Sequence, residues 1–312
     1  GRLIGTQNDN TFIGFQSGRS TTGSSNVALG KYTMYEGAGA NNCTAIGTNA
    51  LKDVTSNDNV AIGYNAMLEH ANGTSNTVVG ASAMDDSNGH AGYHNSFFGT
   101  KSGAGGWAGA AHSNTAIGSF SFGGGAKTAT AVYNTTVGRD SLYALTSGYN
   151  NSTFGYRSGV AITQGDENSL FGFQSGTTVT NGRRNTIIGS GSDVSASGAL
   201  NQIVIGQGQT GVADNTAIIG NSAVTDVYMG DNGSAWSTTS DGRLKENIEE
   251  WSIGLDAINK LRVVEYNFKE DNPYKYDHKK KRQGIIAQEA IEAIPEMIKD
   301  DGEWLTANQE PM

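Results

Sequence analysis

The phrase Asn-x-apolar-apolar-Gly recurs through the first 230 residues and then stops. Asn10 to Gly14, Asn59 to Gly63, Asn114 to Gly118 and Asn185 to Gly189 are copies, and Asn42 to Gly47, Asn201 to Gly206 and Asn215 to Gly220 carry one extra residue. The closing glycines fall at 14, 30, 47, 63, 80, 99, 118, 138, 155, 172, 189, 206 and 220. A fixed period near 17 is too short for helical-hairpin repeats and suits one coil of a β-solenoid per repeat. The expectation is an elongated rod rather than a compact, pocketed enzyme.

Within a repeat the phrase reads as a short strand between residues that tolerate unusual backbone: glycine accepts positive φ, and asparagine tolerates it better than most. Three positions past the closing glycines from Gly14 to Gly189 stands a small residue, such as Ala50, Ala66, Ser102 or Ser141. Ile62-Gly63-Tyr64-Asn65-Ala66-Met67 therefore reads as strand, tight bend and second strand, with two short strands per coil around a narrow core. The next residue is often large and apolar: Met34, Leu51, Met67, Met84, Phe122, Leu142. On an isolated thin solenoid part of this row would face water. A repeated apolar stripe marks an interface, so the row predicts three chains packed about one axis.

The segments between phrases are polar and variable. They are longest between Gly80 and Gly138, where they carry His90, Tyr93, His94, Trp107, His112 and Tyr133. Aromatic and polar side chains on exposed loops suit contact with a glycan or a protein; the alternative is packing against neighbouring coils. His90, His94 and His112 could hold a metal only if a trimer gathered them, and neither metal nor cofactor is expected. Asp85 with Asp86, and Asp166 with Glu167, are adjacent carboxylate pairs that read as surface charge. Thr115, Thr135 and Thr186 recur without the partner row of a Thr-x-Thr ladder, which argues against ice binding.

Charge divides the chain. Residues 1–230 hold 10 Lys/Arg and 13 Asp/Glu, whereas residues 231–312 hold 11 and 17. All three prolines and only five of the 44 glycines lie in the second part, which puts a boundary near residue 230. The net charge of −9 splits as −3 and −6, so neither part offers the basic surface that nucleic-acid binding needs. Lys279-Lys280-Lys281-Arg282 reads as a solvated loop. Cys43 reads as a small packed residue with no disulfide partner in the chain. There is no signal-peptide pattern and no apolar run long enough to cross a membrane. Export is expected only through lysis or as part of a particle. In the second part, Thr238 to Ile248 carries a helix-start signal, and Trp251 to Leu261 is amphipathic, helical at least over Ser252–Lys260. Val263–Phe268 alternates like a strand, Arg282–Ala287 returns as another, and Gln288–Ala293 reads as a short helix.

Residues 8–222 resemble the heads of trimeric autotransporter adhesins, whose Asn-x-x-Ala-Ile-Gly units form a left-handed parallel β-roll. Ile-Gly-x-x-Ala-x also matches one hexapeptide of left-handed β-helix acyltransferases, but those run three per coil and only one appears here. The tail resembles the endosialidase-type C-terminal intramolecular chaperone of phage tail fibres and tailspikes. The matching stretches are Ser240-Asp241-x-Arg243-Leu244-Lys245-x-Asn247-Ile248, Leu261 to Phe268, and Gly284-Ile285-Ile286-Ala287-Gln288-Glu289. That resemblance implies a domain that aligns three chains, helps them fold and then cuts itself off beside Ser240, with Lys245 as the base. A serine hydroxyl needs such a base, and a desolvated lysine can supply a neutral amine.

The family continues into long helices. Here the chain stops at Met312, just after Glu303 to Asn308, which reads as the approach to such a helix, and it begins at Gly1-Arg2-Leu3 without an initiator Met. The expectation is a fragment of a longer fibre, truncated at its C-terminus. The reading is thus mainly β: a trimeric repeat β-solenoid over 1–230, then a small α+β chaperone and self-cleaving domain over 231–312. The expected protein is a homotrimeric virion tail component, made in the host cytoplasm, that recognises a host cell-surface glycan or protein and binds neither nucleic acid nor membrane. A bacterial trimeric adhesin head and a glycan-cleaving tailspike are the alternatives.

Overall fold

A computed structural model of the chain describes residues 9–69, 72–86, 90, 92–221, 223–224, 254–271, 278–279, 281–295, 298–300 and 305–307. Contacts divide the chain into two units, Gly1–Asn221 and Ser222–Met312.

The first unit is a parallel β-solenoid. Thirteen strands of three residues each, from β1 (Thr11–Ile13) to β13 (Ala217–Ile219), stack in sequence order into one sheet. Register is strict: Thr44, Ala45 and Ile46 pair with Val60, Ala61 and Ile62, and these with Thr77, Val78 and Val79. The middle residue of each strand points inward; Ala45, Ala61, Val78, Phe97 and Leu170 are fully buried. β-branched residues flank it, as a pleated surface favours. A slip by one residue would expose this inner row, so the alternation pins the register. The closing glycine is needed twice over. Gly63 has φ of 141°, and a Cβ there would lie 2.5 Å from the carbonyl oxygen of Gly80 one coil on.

The second expected strand is replaced by a ladder of turns. Asn65 and Met67 have φ of 55° and 50°. The Asn65 N–H donates back to Thr48 O at 3.0 Å, and the Met67 N–H donates forward to Ala83 O at 3.0 Å. The amide of Ala66 between them donates within its own coil to Gly63 O at 3.4 Å, so the coil bonds to both neighbours through its two left-handed residues without a strand. The left-handed conformation costs Met67 roughly 1–2 kcal/mol, and burying its side chain returns about 1.5–3 kcal/mol. The row Met34, Leu51, Met67, Met84, Phe122 and Leu142 is fully buried, which corrects the expectation that it faces water. The apolar row that does face outward is the third strand position, including Ile13, Leu29, Ile117 and Ile188.

Core volume is balanced within each coil. Small central residues accompany large turn residues, as in Ala45 with Leu51 and Ala61 with Met67. Where the central residue is Phe97, the turn position is Gly103, whose Cβ would fall 2.3 Å from the Phe97 ring.

The asparagines serve a purpose other than backbone tolerance. The positive φ belongs to the residue before them, such as Asp58 (φ 60°) and Ser75 (φ 59°). Asn59 and Asn76 are themselves fully buried. Asn59 Oδ1 accepts the Asn76 backbone N–H at 3.0 Å and its side-chain amide at 3.1 Å. Asn76 Nδ2 then donates to Gly92 O at 2.8 Å. This ladder of amides continues through Asn95, Asn114, Asn134, Asn151, Asn168 and Asn185. The three apparently longer phrases are the same length in space. Asn42, Asn201 and Asn215 take the positive-φ position, and Cys43, Gln202 and Thr216 take the inner one. Cys43 is buried there; its N–H donates to Asn26 Oδ1 at 2.9 Å and its thiol to Asn41 O and Ser56 O. Burial pushes its thiol pKa up.

In the second unit, helix α1 (Leu255–Ile258) precedes β14 (Val263–Tyr266), which pairs antiparallel with β15 (Arg282–Ile285). Helix α2 (Ala287–Ala293) follows and buries Ala290. A second antiparallel pair joins β16 (Ile298–Asp300) to β17 (Leu305–Ala307), so residues expected to approach a helix form a strand. Among the described residues no helix is long and apolar enough to cross a membrane.

Candidate functional site

Ser240 and Lys245 lie outside the described residues. What is described around them in sequence is the frame of the second unit. Arg262, just ahead of β14, reaches Glu289 on the first turn of α2 with both guanidinium arms, the Nε bond at 2.9 Å. Two of the three motifs in the tail are thereby joined twice: by the β14–β15 pairing, and by an ion pair that holds the Glu289 carboxyl below the usual carboxylate range. The same contact raises Arg262. The pair is exposed, so it fixes orientation more than stability. Lys281 forms a second cross-strand pair with Glu265 at 2.8 Å.

On the solenoid, the loop residues divide into two groups. Tyr93 and His112 occupy equivalent places on consecutive coils, two residues before the buried asparagine, and their rings stack at 4.3 Å and 12°. His94 stands edge-on to Tyr93 at 5.3 Å, and Tyr133 edge-on to His112 at 5.4 Å. The stacked pair and the two edge-on rings one position nearer the asparagine, His94 and Tyr133, join these four side chains into one column along the solenoid. Tyr133 is exposed and His112 half-buried. Partial burial, then the neighbouring His94, lowers the His112 pKa. His90 is half-buried and its carbonyl accepts the Gly92 N–H at 3.0 Å.

Trp107 belongs to the other group. It is 1% exposed, packs edge-on to Phe97 at 6.4 Å, and donates its indole N–H to Gly103 O at 3.1 Å. Its expected role in surface contact is therefore corrected: the loop turns its largest apolar ring inward. Opposite it in the next coil lies Lys127, paired by an isolated bridge. Lys127 is fully buried. Its ammonium group donates to Ala104 O at 2.8 Å and sits 5.3 Å from the Phe122 ring centroid. Burial pushes its pKa down to about 7. Nothing in the repeat pattern marked this residue, because a lone lysine in a polar loop looks like a surface charge.

The carboxylate pairs separate likewise. Asp166 is buried and bridged by Arg183 at 3.2 Å, and Glu167 is bridged by Arg184 at 2.8 Å. Asp85 and Asp86 instead line an open groove of about 340 Å³ with Lys101, Phe120 and Tyr143; Gly105, Gly123 and Gly124 leave its remaining wall bare. Among the described residues no group of three or more His, Cys, Asp or Glu side chains is placed to hold a metal ion.

Residues 240–299 match the family model described as Chaperone of endosialidase. The match begins at Ser240 and runs through α1, β14, β15 and α2. The C-terminal region is an endosialidase-type chaperone domain that follows a repeat solenoid.

Proposed function

We propose, from a chain whose C-terminal region is an endosialidase-type chaperone domain, that this is a homotrimeric tail-fibre protein that releases its own chaperone. The observation that carries the reading is the position of the family match. It opens at Ser240, shortly after the last solenoid strand, with Lys245 five residues on. A stack of thirteen near-identical coils offers many wrong alignments between chains, because any coil resembles its neighbours. A domain that brings three chains together at one end supplies the missing register. Once the solenoid has formed, the domain is dispensable, and cleavage makes assembly irreversible. In that step the Ser240 oxygen attacks the carbonyl carbon of an adjacent peptide bond while the Lys245 amine takes the hydroxyl proton. The C–N bond breaks, the leaving amine receives that proton, and water then hydrolyses the ester to free the serine.

Host recognition is assigned to the solenoid loops. The column of Tyr93, His94, His112 and Tyr133 presents aromatic faces and edges with polar tips, the chemistry that stacks on sugar rings or aromatic side chains. The place of action is the tail of a virion assembled in the host cytoplasm.

The test is expression in the natural full-length context. The unaltered chain is expected to give two bands on a denaturing gel, and Ser240→Ala and Lys245→Ala one band each. Identical patterns for all three would overturn the dyad. Binding of the Ser240→Ala protein to a glycan array, lost on Tyr133→Ala, tests the recognition surface; unchanged binding would remove the aromatic column from that role.

A further inference from the structure

The outward face of the thirteen-stranded sheet has a composition unlike the rest of the solenoid. Each strand turns its first and third residues outward. The first is Thr, Ser, Val, Ile or Ala, and the third is Ile, Leu, Val or Phe, without exception. No Lys, Arg, Asp or Glu occupies any of these positions; every charged residue of the unit lies elsewhere. Seven of the thirteen third-position side chains are exposed, with Ile13 at 58%, Ile117 at 44% and Ile188 at 42%, and the other six are half-buried. Beside them, one residue past the closing glycine, Phe15, Tyr64 and Phe173 are 61%, 57% and 52% exposed, while Lys31 and Arg139 hold the same place in two other coils, so the charge-free surface is the strand itself. Single exposed apolar residues are ordinary, whereas an unbroken row with no charge is the mark of a surface that is covered.

We infer that this sheet face is where copies of the chain pack against one another, with the third-position apolar row turned toward the shared axis. The inference rests on the trimeric reading and deepens it by naming the face. Dimensions support a second copy as the occupant. Thirteen strands at about 4.8 Å spacing make a face roughly 60 Å long, and five residues of strand and bend make it about 17 Å wide. That is on the order of 1,000 Å² per chain; shared between two neighbours it makes about 1,000 Å² of total surface per pairwise contact, the size a specific interface needs. An in-register neighbour also matches it coil for coil, because rows of one period interdigitate along their whole length. The buried Met67 row cannot serve, since its side chains are spent on the core of their own chain.

The experiment measures the mass of the full chain by light scattering, with far-ultraviolet circular dichroism as the check on folding. With Ser240→Ala as the common background, so that the chaperone is retained, the otherwise unaltered protein should scatter as about three times 32.6 kDa. Ile117→Asp/Ile188→Asp should fall to one chain with its spectrum retained, while Val212→Asp, exposed but off the sheet, stays assembled. A trimer that survives Ile117→Asp/Ile188→Asp as well as it survives Val212→Asp overturns the face but leaves the trimeric reading intact. A monomeric unaltered chain overturns both. Ile117→Cys guards against a variant that simply misfolds. It should cross-link between chains with a short bismaleimide, whereas Val212→Cys should not; equal cross-linking of the two, or none at Ile117→Cys, overturns the face.

Discussion

Lys127→Met should stabilise the solenoid, and should do so most at low pH. In the coils that follow, the place of Lys127 is held by Leu145 and Ile162, both fully buried. Burial lowers the lysine from 10.5 to about 7. At about 1.4 kcal/mol per pH unit, that displacement is an ionisation penalty on the order of 5 kcal/mol when the group is charged. Against it stands the bond from Nζ to Ala104 O, whose loss leaves a buried carbonyl unpaired at about 1–2 kcal/mol. At pH 7 half of the folded lysines are neutral and the penalty is slightly below its full value, so the net gain for Lys127→Met is about 3 kcal/mol. The sign of the pH dependence follows from the depressed folded value. Between pH 7 and 10.5 the unfolded chain binds the extra proton, so stability of the unaltered protein rises with pH through that window. Below pH 7 both states are charged and the penalty is complete. The advantage of Lys127→Met should thus shrink by about 2 kcal/mol from pH 7 to pH 9. Solenoids can open one region at a time, so a single melting temperature is a poor measure. Hydrogen exchange of amides in residues 104–131, on both full chains at each pH and corrected for intrinsic rates, reads the local free energy. An advantage that stays constant from pH 6 to 9, or an unaltered chain that is locally the more stable at pH 7, would refute the reasoning.

Asn114→Ala should cost about 2–4 kcal/mol, because the Asn134 N–H and the Ala131 carbonyl both lose their buried partner; the exchange protection of residues 131–135 reports it. Gly63→Ala meets a backbone oxygen at 2.5 Å in a conformation reserved for glycine, and should lower the yield of folded protein or loosen that coil by roughly 3 kcal/mol or more. His112 should titrate below its ordinary 6.5 in an NMR titration, and His94→Ala should move it part of the way back; a value at or above 6.5 would contradict the packing. Glu289→Gln should uncouple α2 from the start of β14, seen as faster exchange in residues 287–293, and acidification through the carboxylate range should do the same to the unaltered chain.

The coil count and period were legible because the closing glycine has no substitute: its φ and the backbone packed against it exclude every side chain. The other half of each coil was not legible, since nothing in the preferences of methionine or leucine announces a left-handed turn. Met67 adopts one only because its neighbours above and below supply the hydrogen bonds. Asparagine was correctly seen as obligatory and credited with the wrong task, because a side-chain ladder between coils has no signature in a single repeat. The exchange of volume between Phe97 and Gly103 was present in the sequence as a pair six residues apart. Trp107 turns inward despite its polar loop, and Lys127, which no pattern singled out, turns inward despite its charge. In the tail, the strand pair and the helix after it were readable from alternation and spacing, and β14, β15 and α2 fall within one or two residues of that reading.

The amide ladder has one further consequence. It has a direction: each asparagine oxygen serves the coil after it, so every coil is prepared to receive another. At Gln202 that hand-over stops. Its backbone N–H still donates to Asn185 Oδ1 at 3.0 Å, but its own side-chain amide folds back on Ser195, accepting the Ser195 N–H at 3.1 Å and donating to the hydroxyl at 2.6 Å. The longer side chain thus works as a terminator, one methylene turning a relay into a full stop. The side-chain ladder therefore ends one coil before the backbone ladder: β13 still pairs with β12 and the Ile203 N–H still donates to Thr216 O at 3.0 Å, so the last described coil is held by its backbone and its strand contacts without an amide relay.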